Sequence, residues 1–306
     1  MNPPLPRRRL LASRWPALSL CALIALASFA AGSAAQTADA PGVKPEARPA
    51  AKAARASPRA QPPLLIEPRA VELIKSSGAK LAAAKAMNFT AIVDEEYPSR
   101  LGPPLSYPVR YEVTLLRPDM LRVLQSGAGP ANEYIFDGRT IAAYAPEVNL
   151  VALVESPPML EAALKLAFDK AAIYFPFTDL LLSDPAAVWT ERLIHAFYVG
   201  PSGAVGGVAT ESVAWATDAL FVQMWVGSDD KLPRRLRAVY AADPLALRHD
   251  MVLLNWQLDA NPPPETFASA KAQAAPRIDF ASPVAVAPPA KAAKPVKPQA
   301  AAAKAN

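Results

Sequence analysis

Two spacings of apolar residues divide the middle of the chain into helical and extended segments. Apolar positions recur at helical spacing from Val71 to Leu81, after Pro68, a residue suited to a first helical turn. We therefore predict an amphipathic helix that continues to Met87. Beyond it the spacing changes to every second residue, which is typical of half-buried antiparallel strands and is clearest over residues 109–115.

A hairpin and several further strands follow the same two-residue period. Residues 132–136 and 139–144 flank Asp137-Gly138, a dipeptide that favours a tight turn. Further strand-like runs lie at 148–154, 197–199, 213–216, 221–226, 236–240 and 251–258. The pattern predicts about nine or ten antiparallel strands.

An apolar helical insertion interrupts these strands. Ser156-Pro157-Pro158 is typical of a helix start, and the helix predicted over 157–170 carries Leu160, Leu164 and Phe168 on one stripe. Two shorter helical pieces are expected after it, at residues 177–182 and 185–193, the latter capped by Asp184.

Together these elements predict an α+β fold in a single domain over residues 64–280. We expect one continuous, curved antiparallel sheet that forms an incomplete, half-open β-barrel. The N-terminal helix and the inserted helical lid close this barrel, with the 157–170 helix on its concave face.

The N-terminal 35 residues have the three parts of a secretory signal peptide. Arg7-Arg8-Arg9 precedes an apolar run from Trp15 to Ala31, and Ser33-Ala34-Ala35 follows it. We predict cleavage after Ala35, a periplasmic location and no integral membrane segment in the mature chain. The alternative is an uncleaved anchor, although the apolar run is short for a membrane span.

Residues 36–63 and 281–306 are rich in Ala, Pro and basic residues. Such segments bury too little apolar surface to offset the entropy of ordering, so we predict a disordered linker and a disordered tail. They are solvated spacers in the simplest interpretation. The alternative is a basic arm that tethers the protein to an anionic envelope surface.

The distribution of charge argues against nucleic acid as a partner. The chain carries 32 Lys and Arg against 27 Asp and Glu. The two ends hold many of the basic residues but, of the acidic ones, only Asp39 and Glu46, which leaves residues 64–280 net acidic. A nucleic-acid-binding domain needs its basic residues clustered on the folded part.

The sequence contains no recognisable catalytic or metal-binding motif. Cys21 is the single cysteine and lies in the signal region, and the two histidines, His195 and His249, have no ligand-type neighbours at suitable spacing. We expect Asp94-Glu95-Glu96 and Asp229-Asp230 to be solvated charge runs. The prediction is a protein that is not an enzyme and has no cofactor and no metal.

A family resemblance is visible in an ordered set of short motifs. Residues 116–122 (Leu-Arg-Pro-Asp-Met-Leu-Arg), Phe136-Asp137-Gly138 and Tyr144-Ala145-Pro146 resemble the signature of the LolA/LppX-like lipoprotein-carrier superfamily. A longer set resembles an uncharacterised family of predicted periplasmic proteins, domain of unknown function two thousand and ninety-two. That set adds Pro157-Pro158, residues 175–181, Asp184-Pro185, residues 198–200, 223–225 and 232–236, and Asn255-Trp256.

The resemblance covers roughly residues 66–280. It implies an incomplete antiparallel barrel closed by helices around an apolar cavity, with no catalytic residue. The chain departs from the family pattern at residues 208–212, where Val-Ala-Thr-Glu-Ser stands in place of a stretch containing Cys and His.

The candidate ligand-binding residues are the apolar and aromatic side chains expected on the barrel's inner face and its lid. By default such a set is core, and only the curved sheet makes part of it a pocket lining. Arg117 joins the set because it either forms a turn salt bridge with Asp119 or orients the lid. The full set is Tyr111, Val113, Arg117, Phe136, Leu160, Leu164, Phe168, Phe177, Met224, Leu254 and Trp256.

Two function classes follow from this pattern. The first is a non-catalytic periplasmic protein, expected to be monomeric, that binds a lipid, a lipoprotein acyl chain or another hydrophobic ligand in the barrel cavity. The second is an envelope interaction or regulatory module, such as an anti-sigma partner, in which the cavity is simply a packed core.

Overall fold

The computed structural model of the chain describes residues 65–282. The predicted signal peptide (1–35), the predicted linker (36–63) and residues 283–306 of the predicted tail lie outside the described residues.

A single curved, open sheet of 12 strands dominates the fold. Its order is β12-β6-β5-β4-β3-β2-β1-β11-β10-β9-β8-β7. The strands are β1 (Ala86–Tyr97), β2 (Leu105–Leu116), β3 (Met120–Gly127), β4 (Asn132–Asp137), β5 (Thr140–Ala145), β6 (Leu150–Glu155), β7 (His195–Ser202), β8 (Thr210–Ala216), β9 (Leu220–Gly227), β10 (Pro233–Tyr240), β11 (Arg248–Leu258) and β12 (Arg277–Ile278).

Two meanders make up this sheet. Strands β1–β6 pair in sequence order, as do β7–β11, and the antiparallel pairing of β1 with β11 joins the two sets. The two-residue β12 lies parallel to β6 at one edge. At the other edge β7 exchanges backbone hydrogen bonds of 2.8 and 2.9 Å with residues 65–67. The predicted α+β class and open antiparallel sheet are confirmed.

The helices lie before, between and after the two meanders. Helix α1 begins at a proline, as its sequence predicts, and α4 is capped by Asp184, which accepts a hydrogen bond from the amide of Ala187 at 3.0 Å. No helix within residues 65–282 is long and apolar enough to cross a membrane. The helices are α1 (Pro68–Ala83), α2 (Leu160–Ala171), α3 (Thr178–Leu181), α4 (Pro185–Thr190) and α5 (Ala270–Ala274), with a 3-10 turn at Pro264–Phe267.

Several helix boundaries differ from the predicted ones; α4, for example, ends at Thr190 rather than at residue 193. Helix α1 ends at Ala83, and Met87 belongs to β1 because its side chain continues the alternation of buried residues along that strand. Helix α2 begins after Met159, whose backbone is extended, rather than at Pro157. The two prolines therefore precede the helix.

One main hydrophobic core lies between the sheet's inner face and helices α1 to α4. Residues of both meanders and of the helical insertion contribute to it, so the insertion packs on the inner face as predicted. A second, smaller cluster of Ile135, Ala142, Tyr144 and Val151 lies beneath Ala272 and Ala275 of the C-terminal segment.

Candidate functional site

Phe177 lies at the centre of the aromatic cluster that fills the inner face of the sheet. Its ring makes edge contacts with Tyr111 at 5.3 Å and Phe89 at 5.6 Å and stacks on Phe175 at 5.6 Å. Trp256 stacks on Phe89 at 4.5 Å. The segment before α3 therefore inserts two phenylalanines between the sheet and solvent.

The predicted stripe on α2 is only partly buried. Leu160 and Leu164 lie in the main core, as do Val113, Phe136 and Met224 of the sheet. Phe168 keeps 36% of its surface exposed and makes an edge contact with the ring of Tyr174, with the ring centroids 6.5 Å apart. The stripe thus runs from the core to the surface as the helix leaves the sheet.

Arg117 fastens the helical insertion to the rest of the domain. Its guanidinium donates hydrogen bonds to the carbonyls of Leu181 at 2.9 Å and Leu182 at 2.8 Å, where α3 ends. A third bond reaches the carbonyl of Ala84 at the end of α1, at 3.2 Å. Burial lowers the pKa of Arg117, while the nearby Glu161 carboxylate opposes this shift. These contacts are hydrogen bonds to carbonyls at the end of α1 and in the insertion rather than a salt bridge with Asp119.

Two further hydrogen bonds stabilise the insertion near the same end of the sheet. The amide of Leu160 donates to the carbonyl of Pro118 at 3.3 Å, and the amide of Ser183 donates to Glu161 at 2.9 Å. These bonds and those of Arg117 gather the start of α2 and the end of α3 at one place. Aromatic packing dominates at the other end of the insertion.

Leu254 was predicted to line the inner face of the sheet, but it lies on the outer face. The register of β11 against β1 shifts where Asn255 adopts a left-handed φ of 57°, which marks a β-bulge. Leu253 faces the core before the bulge and Trp256 faces it afterwards, whereas Leu254 pairs with Thr90 on the other face. The prediction that Leu254 shares a sheet face with Trp256 is wrong for this reason.

At the opposite end of the sheet, Glu95 lies on a different face from its acidic neighbours Asp94 and Glu96. Asp94 and Glu96 line the outer face, where Arg248 pairs with Glu96 and Ser106 donates to Asp94 at 3.0 Å. Glu95 faces inward and accepts a hydrogen bond from the hydroxyl of Tyr97 at 2.8 Å. The charge run is therefore split by strand alternation.

Tyrosines surround Glu95 on the inner face. In register it lies opposite Tyr107 on β2 and His249 on β11. The ring of Tyr107 contacts that of Tyr97 at 5.4 Å, and Tyr240 meets His249 at 5.1 Å. We call this end of the inner face, together with Tyr174 and Asp179 of the insertion, the mouth.

A family model described as "Predicted periplasmic protein (DUF2092)" matches residues 70–281. The chain belongs to this family. Membership confirms the resemblance drawn from the ordered motifs, and the family's description is periplasmic. No curated protein matches the chain.

Several solved structures resemble this DUF2092 member. LprF from Mycobacterium bovis is 15% identical over 65% of this chain and 98% of its own, with a TM-score of 0.42. The LolA superfamily protein NE2245 from Nitrosomonas europaea is 10% identical over 65% and 98%, with a TM-score of 0.33. MucB is 16% identical over 67% of this chain and 64% of its own, with a TM-score of 0.34.

The predicted apolar cavity of this DUF2092 member is occupied by its own side chains. Phe136, Phe175, Phe177, Leu160 and Leu181 are all fully buried in one cluster between sheet and insertion. Two concave pockets lie elsewhere. One of about 280 Å³ is bordered by Leu254, Trp256 and Arg234, and one of about 370 Å³ lies on the outer face.

Ion pairs occupy the outer-face pocket. Arg235 makes a two-bond contact with Asp250, at 2.7 and 2.6 Å, and its guanidinium lies 5.3 Å from the Trp225 ring. Within residues 65–282 no group of three or more His, Cys, Asp or Glu side chains is placed to hold a metal ion.

Sequence reasoning missed several members of the site. Phe175 belonged to a quoted motif but was not chosen, although its spacing of two from Phe177 in a loop places both rings in one stack. Tyr174 and Asp179 flank the same pair of rings. Only the fold brings Asp179 and Glu95 to the same end of the sheet, so no local pattern identified them.

Proposed function

We propose that this protein is a non-catalytic periplasmic carrier or sensor that binds the acyl chain of a lipid or lipoprotein, or a similar hydrophobic ligand, between the sheet and its helical insertion. The observation that carries this proposal is the covering of the sheet's apolar inner face by Phe175 and Phe177. Side-chain packing of this kind can be exchanged for a ligand without breaking any strand pairing.

The distribution of contacts between the insertion and the rest of the domain is compatible with such an exchange. Polar bonds gather at the Arg117 end, whereas the segment with Phe175 and Tyr174 meets the sheet through aromatic contacts. A movement that pivots about Arg117 would uncover Tyr111, Phe136 and Trp256 while leaving the three carbonyl bonds in place.

The free energy available from an acyl chain is of a suitable size. Burial of one CH₂ group stabilises by about 0.8 kcal/mol, so a chain of about 16 carbons supplies roughly 10 kcal/mol before costs. Displacing the aromatic segment consumes part of this gain because its rings lose their own burial.

The proposed location is the periplasm, reached through the signal peptide predicted over residues 1–35. The description of the family supports it. We propose that the mature domain acts as a monomer, with residues 36–63 and 283–306 as solvated ends.

A second candidate function is an envelope interaction module with a permanently packed core. The complete burial of Phe177 and Phe136 favours it, because these side chains pack in the core between sheet and insertion. The two candidates differ in whether the insertion leaves the sheet.

The variant Leu164→Ala distinguishes the two candidate functions. Leu164 is 8% exposed and its truncation should cost about 2–5 kcal/mol of unfolding free energy. In a carrier the variant should also bind a fluorescent fatty acid more tightly than wild type, since less lid packing opposes the ligand. Fluorescence titration of both proteins measures this difference.

Ile135→Ala is the matched control. Ile135 is 5% exposed but lies in the small cluster under α5, away from the insertion, so it should lose stability with no gain in affinity. If neither wild type nor Leu164→Ala binds the probe, the carrier proposal is wrong and the interaction module replaces it. Mass spectrometry of protein isolated from the periplasm gives an independent check for co-purified lipid.

A further inference from the structure

The mouth combines tyrosine rings with two carboxylates. Glu95, Tyr107 and His249 are cross-strand neighbours, and Tyr97, Tyr111 and Tyr240 follow the same alternation on β1, β2 and β10. From the insertion, Tyr174 is 41% exposed and Asp179 is exposed at the start of α3. Several aromatic faces and two negative charges therefore meet where the half-barrel opens.

An apolar strip leads from the mouth into the main core. Leu220, Leu236 and Ala238 are half-buried on the inner face of β9 and β10 and pack against the core cluster. Leu220 lies opposite Tyr240 in register, so the strip begins directly below the tyrosines.

The mouth holds two carboxylates, and desolvation acts on one of them. Asp179 is open to solvent yet surrounded by enough protein that desolvation raises its pKa. Burial also raises the pKa values of Tyr174 and Tyr240, and the Asp179 and Glu95 carboxylates raise them further.

We propose that the mouth binds the positively charged head group of an amphiphile, an amine or quaternary ammonium, while its apolar chain lies along Leu220, Leu236 and Ala238 towards the core. This inference rests on the proposed function and adds the chemical class of the ligand to it.

Both features of the mouth favour such a cation. A tyrosine ring attracts a cation to its face, and a partly desolvated carboxylate is stabilised by an opposite charge within a few ångströms. An anionic head group would instead meet two like charges. Selectivity for charge sign is therefore the property that distinguishes this site from a general apolar cleft.

The test compares three ligands with the same alkyl chain length: dodecyltrimethylammonium, laurate and monolauroylglycerol, each below its micellar concentration. Calorimetric titration of the mature chain, with all residues after Ala35, should show the cation binding about tenfold more tightly than the neutral ligand, with laurate weakest.

Two isosteric variants locate the effect. Asp179→Asn and Glu95→Gln should each weaken binding of the cation by about fivefold and leave monolauroylglycerol unchanged. Asp229→Asn, an exposed residue in the turn between β9 and β10, removes the same charge at the opposite end of the sheet and should change neither ligand.

The outcomes distinguish this inference from the proposed function. Equal binding of all three ligands, or preference for laurate, overturns the inference and leaves an acyl-chain carrier standing. Binding of none overturns both. If the cation binds only after residues 283–306 are deleted, the chain's own lysines are the occupant and the assignment of a ligand is wrong.

Discussion

Gly78 of α1 lies directly against Ala186 of α4. A Cβ atom on Gly78 would stand 2.6 Å from both the backbone nitrogen and the Cβ of Ala186, closer than real Cβ contacts allow. The absence of a side chain at position 78 thus sets the separation of the two helices that cover β7 and β8.

Gly78→Ala should destabilise the domain. Overpacking typically costs about 1–3 kcal/mol, which outweighs the gain of about 1 kcal/mol that alanine brings to a helix interior. Urea unfolding measures the change. Ser76→Ala on the same helix, where the hydroxyl donates to the carbonyl of Leu73, should stay within about 0.5 kcal/mol of wild type. A stabilised Gly78→Ala protein would show that α1 and α4 lie further apart.

Arg117→Met should loosen the helical insertion. The change keeps an apolar stem but leaves the carbonyls of Ala84, Leu181 and Leu182 without their donor, at a cost of about 1–3 kcal/mol. Hydrogen exchange of residues 160–190 should accelerate more than that of β1 and β2.

Arg192→Met is the control for this prediction. Arg192 forms an exposed ion pair with Asp218, which is worth at most about 1 kcal/mol. Equal exchange rates in the two variants would show that the bonds of Arg117 do not hold the insertion.

The stability of wild type relative to Asp179→Asn should depend on pH. Desolvation raises the pKa of Asp179 in the folded state, so the folded protein binds this proton more tightly than the unfolded chain does. Ionisation then destabilises the fold as pH rises, and Tyr174, Tyr240 and Glu95 supply no positive charge to offset it.

Asp179→Asn should accordingly melt at a higher temperature than wild type at pH 7, and the gain should vanish below the ordinary aspartate pKa of about 3.9. Asp229→Asn tests whether the loss of one negative charge anywhere has the same effect. A gain that persists unchanged at low pH would contradict the assignment to ionisation.

The C-terminal boundary of the folded part should lie after Ser282. Phe280 packs against the main core, and the amide of Ser282 donates to the carbonyl of Lys170 at 2.7 Å. Removing residues 36–63 and 283–306 should leave the melting temperature nearly unchanged. Ending the chain after Asp279 should lower it, because Phe280 is then lost.

Strand alternation made most of the sheet predictable. In β2 the buried positions are Tyr111, Val113 and Leu115, as the two-residue period requires, and Asp137-Gly138 forms the predicted turn with Gly138 at a φ of 81°. These features depend on neighbours in sequence, so a local pattern is sufficient to reveal them.

The rest depends on contacts between distant residues. The bulge at Asn255 places Leu254 and Trp256 on opposite faces because β11 must accommodate the register of β1, which no pattern within β11 reveals. Two of the three carbonyl partners of Arg117, those of Leu181 and Leu182, lie more than sixty residues away along the chain. The filling of the barrel by Phe175 and Phe177 likewise follows from the path of the insertion.

The pairing of β1 with β11 has a consequence for how the chain folds. Each meander forms from strands that are adjacent in sequence, whereas this pairing places Met87 opposite Leu258, near the two ends of the domain. Pairings of such large sequence separation raise the contact order and slow folding. During synthesis β1 has β2 on one side and an open edge on the other until the last long strand is made, so this edge is where a nascent chain is most exposed to intermolecular pairing.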